Sequence, residues 1–324
     1  MTSGAGHAAG PCFFPGTTSM TAYIIRRLLV MVPLLWAIAT ITFFLMHAVP
    51  GGPFDNEKPL PPATVAALER KYNLDGSLGD QYLSFLQNLA KGDLGLSFRQ
   101  DRPVSDVIGE GLPETLQLGL CAFAFALLLG LTLGVLSGVK QNGPLDYIGV
   151  FVATAGAAVP NFVMSVFLVL FFALKLGWFD VIGWEFGNPR QMVLPVVALG
   201  MYPAAFIARI TRASMLEVLR QDYIRTARAK GVKELTIVMR HAVRNAMVPV
   251  LTVLGPILAG LITGSFVIEQ YFAIPGIGRA FVEAVGTRDY GIIMGMTLLY
   301  AAIIATLNLL VDVGYAVANP RIRY

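Results

Sequence analysis

The chain has 324 residues, of which 56% are hydrophobic and only 14% charged, with a formal net charge of +4 and a mean hydropathy of +0.66. An average soluble domain carries roughly 25% charged residues, so this composition excludes a soluble cytoplasmic enzyme, and it is too apolar for a disordered chain. Cys12 and Cys121 are the two cysteines, which provide neither a disulfide framework nor a zinc site.

In chain order, residues 1–22 are rich in Gly, Ala, Pro and Thr and read as a disordered tail, within which Met20 is a natural start. Six apolar stretches then appear, at 28–49, 115–139, 148–174, 192–210, 247–268 and 292–317. A helix needs about 20 residues to cross a hydrocarbon core of about 30 Å. Six such stretches predict an all-α membrane protein with six transmembrane helices. The first lies behind Arg26-Arg27 and is longer than the roughly 7–15-residue core of a secretory signal. It has no small-residue cleavage site after it, so 23–49 is expected to stay as the first span.

Two segments outside the spans carry the organisation. Over 50–113, Pro50-Gly51-Gly52-Pro53 breaks the first helix. Val65, Leu68 and Tyr72 then recur at helical spacing, as do Tyr82, Phe85, Leu86 and Leu89 before Lys91-Gly92-Asp93, which predicts a small helical cap. The membrane core, with five of the six spans, is placed at 114–317, with a strongly basic loop at 209–246 and a tail at 318–324. In that loop Asp222 is expected to cap a short helix over 223–230, with basic residues toward its C-terminal end. Gly231 is expected to stop it in the left-handed region. Simple anchoring by positive charge explains the basic residues; it does not explain the acidic cap, the small Thr226-Ala227 pair and the glycine stop together.

With the N-terminus inside, the inner segments hold fourteen basic residues against four acidic ones, and the outer segments ten against fifteen. Lysine and arginine mark the cytoplasmic side. Both termini and the basic loop are therefore expected in the cytoplasm, and the cap outside.

Thr226-Ala227-Arg228-Ala229-Lys230-Gly231 resembles the loop by which membrane subunits of peptide-type ATP-binding-cassette importers engage their ATPases. Further matching pieces run through the chain: Arg26-Arg27-Leu28, Gly92-Asp93-Leu94-Gly95, Arg209-Ile210-Thr211-Arg212, Arg240-His241-Ala242, Pro275-Gly276-Ile277-Gly278 and Asn319-Pro320-Arg321-Ile322-Arg323-Tyr324. Pro50-Gly51-Gly52-Pro53-Phe54 with Leu60-Pro61-Pro62 is similar to the B subunit of oligopeptide permeases. The resemblance implies a type I importer permease fold in a bacterial inner membrane. It implies four kinds of partner: a homologous second permease, one or two ATPase subunits, an extracytoplasmic binding protein docking on the cap and residues 269–290, and surrounding lipid. Peptide is the implied substrate, with nickel, opine or glutathione carried by importers of the same pattern. Arg225 stands where the wider family has Glu, and Asn319 where Asp is commoner. The implied coupling helix comprises Asp222, Tyr223, Ile224, Arg225, Thr226, Ala227, Arg228, Ala229 and Lys230, closed by Gly231.

The chain shows no G-x-x-x-x-G-K-[ST] phosphate loop and neither H-E-x-x-H nor G-x-S-x-G. His7, His47 and His241 are scattered. No catalytic, cofactor or metal site is expected, and no nucleic-acid partner; ATP and magnesium belong to the partner subunits. Gly130, Gly134 and Gly138 form a small-residue stripe read as helix packing, with a substrate path as the alternative. Pro160, Pro195, Pro203, Pro249 and Pro256 free backbone carbonyls that could line a cavity. Asp312 is an intramembrane carboxylate near the inner end of its span, read as a structural pairing ahead of a substrate site. An ion-coupled secondary transporter would be expected to show inverted repeats, and none is seen.

Overall fold

The computed structural model describes residues 20–50, 52–54, 61–72 and 74–318. The expected tail at 1–19, Cys12 and the closing motif at 319–324 lie outside the described residues, as does the side chain of Asp312. Among the described residues the structure is helical, with a single isolated bridge between Leu96 and Pro103.

Helix α1 (Met20–Ala48) runs the full thickness of the bundle, with much of its surface exposed. Two short helices lie at its far end, α2 (Pro62–Lys71) and α3 (Leu78–Ala90). Ser77 caps α3 by accepting the Asp80 N–H, one of the donors a helix N-terminus leaves free. Helix α4 (Val104–Val139) returns through the bundle. It starts ten residues before the cap boundary expected from hydropathy, because the buried Val104, Val107 and Ile108 already belong to the core.

The stretch expected as one span at 148–174 is broken. Helix α5 (Pro144–Ala158) and helix α6 (Asn161–Leu168), which continues as a π-helical turn over Val169–Lys175, meet at 109°. The cause is local: Pro160 drives Val159 into extended backbone, with φ −93° and ψ 120°, because a residue before proline is pushed out of the helical region. Among the described residues there are thus five helices long and apolar enough to cross a membrane, or up to six crossings if the bent pair is one span.

Helix α7 (Pro189–Leu219) carries the chain back to the end where α1 began. There α8 (Asp222–Ala229) and α9 (Glu234–Thr236) lie before a second π turn, Ile237–Ala242, that leads into α10 (Val243–Thr263). The span expected at 247–268 falls within Glu234–Tyr271, a stretch long and apolar enough to cross, whose helix is interrupted at Gly264-Ser265. Helices α11 (Phe266–Tyr271) and α12 (Ile277–Thr287) then sit at the cap end, and α13 (Tyr290–Ala318) returns.

Helices α4 and α7 form the centre. A Cβ at Gly130 would lie 2.7 Å from the Ala204 carbonyl oxygen, one at Gly134 2.5 Å from Thr211 Cβ, and one at Gly138 2.5 Å from Met215 Cβ. The glycine stripe therefore faces α7 along two helical turns, at a separation that excludes any side chain. Leu118, Ala122, Leu194, Ala198 and Leu199 continue this contact into a buried core toward the cap end.

Candidate coupling site and membrane cavity

The end of the bundle holding both described termini also holds α8. Leu219 ends α7, and the chain turns at Arg220-Gln221 before the eight residues of α8. Asp222 is not the cap expected from the sequence. Gln221 occupies that position without a side-chain hydrogen bond, and Asp222 is the first helical residue. Its carboxylate still sits beside the partial positive charge of the N-terminus, 3.5 Å from the Arg225 guanidinium.

The other end of α8 is tightly specified. Gly231 has φ +74°, the Val232 N–H donates to the Ala227 carbonyl at 3.2 Å, and the Gly231 N–H donates to that of Arg228 at 2.9 Å. These are the two hydrogen bonds of a Schellman stop, which a residue with a Cβ disfavours at the left-handed position.

One face of α8 is anchored. Ile224 is fully buried and Ala227, one turn on, is half-buried. The Arg228 guanidinium donates to both Glu234 oxygens, at 2.6 and 3.1 Å, and the Asn245 amide donates to the Tyr223 hydroxyl at 2.9 Å. These contacts tie α8 to α9 and to the start of α10. Asp222, Arg225, Thr226, Ala229 and Lys230 remain on the exposed side. Ala229, exposed where Ala227 is half-buried, is the small residue offered outward.

A second tie is not legible in the sequence. Arg212 on α7 makes a bidentate pair with Asp146 on α5, at 2.6 and 2.8 Å, and the Asn142 N–H donates to the same carboxylate at 2.9 Å. Asp146 is buried. A desolvated carboxylate needs this degree of satisfaction. The pair clamps the first half of the bent span to the helix that leads into α8.

Deeper in the bundle lies a cavity of about 420 Å³ between α6, α7 and α10. Its wall is apolar and aromatic, with Phe206, Pro203 and Pro256, and its polar side chains are Asn161 and Tyr202. Leu199 also lines it; its carbonyl has no helical donor because Pro203, four residues on, lacks an N–H. The prolines of the spans thus fall into two sets, of which Pro203 and Pro256 reach the cavity. Among the described residues no group of His, Cys, Asp and Glu is placed to hold a metal ion.

Residues 130–324 match the family described as the binding-protein-dependent transport system inner membrane component, and residues 20–119 match the N-terminal region of the same kind of protein. The chain belongs to this family. It is 44% identical over 306 residues to the oligopeptide transport system permease protein OppB of Haemophilus influenzae, covering 94% of this chain and 100% of that one. It is 43% identical over 305 residues to the dipeptide transport system permease protein DppB of Bacillus subtilis, covering 94% and 98%. An inward-facing structure of the MetNI methionine ABC transporter shares the fold, with a TM-score of 0.53 at 22% identity over 65% of this chain and 94% of that one. A multi-pass inner-membrane permease is the architecture these findings support together with the apolar helices.

Proposed function

We propose that this chain is one of two homologous membrane subunits of an ATP-driven importer for oligopeptides or dipeptides. The observation that carries the reading is α8: a short exposed helix, stopped by Gly231 and braced against α10, on the end of the bundle where Lys and Arg concentrate. The permease relatives, named for oligopeptide and dipeptide transport, supply the substrate class. In this reading α8 docks in a groove of an ATPase subunit, a helix-in-groove contact. Closure of the ATPases on ATP displaces α8 and α10 together, and the Arg212–Asp146 clamp carries the displacement to the bent span. The cavity lined by Tyr202, Phe206 and Asn161 lies on the substrate path. The end carrying α8 and both termini is cytoplasmic; the end carrying α2 and α3 faces outward and receives the binding protein. ATP and magnesium stay on the partners, and this chain contributes no catalytic group.

The test is uptake of a labelled tetrapeptide and a labelled dipeptide into vesicles holding this chain, its second permease and the ATPases, with ATP inside and binding protein outside. ATP-dependent peptide accumulation is expected, with nickel and glutathione neither transported nor competing. Accumulation driven by an ion gradient without ATP would overturn the importer reading. Transport of nickel or glutathione in place of peptide would overturn the substrate class. Orientation is checked by thiol labelling: a cysteine at Asn88 should react from outside and one at Lys233 only after permeabilisation.

A further inference from the structure

Arg209 is a cation on the central helix for which the fold provides no counterion. It lies within α7, about 15 Å short of the helix end at Leu219, and it is exposed. It makes no hydrogen bond or ion pair among the described residues. Arg212, three residues on, is the contrast, since its guanidinium is committed to Asp146. An ionisable side chain inside a span ordinarily has a partner or a pathway to serve.

Helical geometry says where Arg209 points. Tyr202 and Phe206 line the cavity of about 420 Å³ between α6, α7 and α10. Positions 202, 206 and 209 are spaced by four and three, so they share one face of α7. The buried Ala204, Ile207 and Thr211 occupy the opposite side. Ala213, one turn beyond Arg209 on the open face, is small and exposed, which leaves the guanidinium uncovered. Among the described residues lining the cavity there is no charged side chain. Its polar side chains, Asn161 and Tyr202, make no hydrogen bond among the described residues. The face therefore offers an apolar chamber with two uncommitted polar groups. One cation lies about 10 Å from Tyr202 along α7, toward the end carrying α8.

A peptide of any sequence carries one group suited to that cation, its terminal carboxylate. A guanidinium presents its donors in a planar fork that meets a carboxylate bidentately. At about 3.3–3.6 Å per extended residue, 10 Å is the length of about three residues. We propose that Arg209 is the carboxylate-binding residue of the pathway, holding the C-terminus of a passing peptide while the preceding residues lie against Tyr202, Phe206 and Asn161. The peptide then travels C-terminus first toward the end carrying α8. The identity of the ligand rests on the importer reading; the uncommitted guanidinium and its place on α7 do not.

The first measurement needs neither ATPase nor binding protein. The full chain and its second permease are held in lipid nanodiscs, with Cys12 and Cys121 replaced and a cysteine at Phe206, and a water-soluble maleimide is added. The concentration of Ala-Ala-Ala that halves the labelling rate should be lower than that of its C-terminal amide by about tenfold or more, as for a hydrogen bond to a charged group. Ala-Glu-Ala amide, whose carboxylate is on a side chain, should behave as the amide does. Arg209→Gln should remove the difference and Arg209→Lys should keep part of it. Because Arg209 has no partner among the described residues, neither variant should shift thermal unfolding. Equal effects of acid and amide, including none by either, would overturn the proposal, as would a difference that survives Arg209→Gln. Labelling slowed by exchanging phosphatidylcholine for phosphatidylglycerol, but not by peptide, would assign the guanidinium to a lipid headgroup instead. Uptake by the assembled importer then separates the two readings. ATP-dependent uptake with the same acid-over-amide ratio in wild type and Arg209→Gln would sink the role of Arg209 and spare the importer, since any preference of the binding protein cancels in that comparison. No uptake by the wild type would sink the importer, and the labelling result would still decide whether Arg209 binds a carboxylate.

Discussion

The cap end of this bundle and α8 at the other end are held by different means. At the cap end, buried carboxylates join segments far apart in sequence. Asp289 accepts from the Ser97 hydroxyl at 2.5 Å and from the Phe98 and Arg99 N–H groups at 3.1 and 3.2 Å. Glu269, fully buried, accepts from the Thr115 and Ser265 hydroxyls and the Arg279 N–H. At the coupling end the contacts of α8 are solvent-facing and closer in sequence, as with Arg228 and Glu234. A desolvated carboxylate with three donors fixes one geometry, whereas an exposed pair contributes under about 1 kcal/mol. The contrast separates a cap fixed by buried ties from a helix, α8, whose side-chain ties are largely exposed.

Asp289→Ala should loosen the cap end. It strands four donors, from Ser97, Phe98, Arg99 and Ile292, at about 1–3 kcal/mol each where they stay dry, and thermal unfolding of the purified chain should fall accordingly, with Asp289→Asn falling less. In the middle of the molecule, Gly134→Val forces a side chain onto Thr211 and the Ala208 carbonyl. Overpacking of that kind costs about 1–3 kcal/mol, and the same unfolding measurement should show it. After α8, Gly231→Val places a β-branched residue at φ +74°, a local cost of about 1–2 kcal/mol. Membrane insertion should survive while ATPase pull-down and uptake are lost. Ala229→Trp should reproduce that loss with no change in unfolding, and intact pull-down in both variants would mean that α8 is only a charged anchor.

The smallest effect concerns the Lys71–Asp101 pair on the cap. The hydrogen bonds from Lys71 and then Tyr72 hold the Asp101 carboxyl below its ordinary range. A depressed carboxyl contributes stability that is present above about pH 4 and lost as the pH falls through its folded value. Asp101→Asn should therefore lower cap stability by the same small amount from about pH 5 to 8, and by less as the pH falls through the folded value. An effect of Asp101→Asn that varied between about pH 5 and 8 would overturn this account.

The legible parts of this molecule are those whose cause is local. Span lengths come from runs of apolar residues, and the stop of α8 from a glycine behind a basic helix. The glycine stripe announces a close contact by its four-residue spacing, though only the fold shows that the contact is with α7. Hydropathy registers how long a segment stays apolar and not where it points, so it misses the bend at Val159, for which Pro160 is the signal available. Asp222 passes for a cap in the sequence because a cap and a first-turn acid look alike one residue apart. The ties of Arg212 to Asp146, Thr115 to Glu269 and Ser97 to Asp289 span 66, 154 and 192 residues, and nothing near any of these residues names its partner.

The bend between α5 and α6 also bears on how the protein is made. At about 1.5 Å per residue, the 15 residues of α5 reach only about 22 Å, short of a hydrocarbon core of about 30 Å. Neither half of the broken pair is thus a self-sufficient insertion signal. The surface that completes α5 is partly downstream: Gly156 rests on Met201 of α7, and Gly149 on Ser137 of α4. Stable placement of the pair in the bilayer is therefore expected to depend on packing against α7, which follows it in the chain.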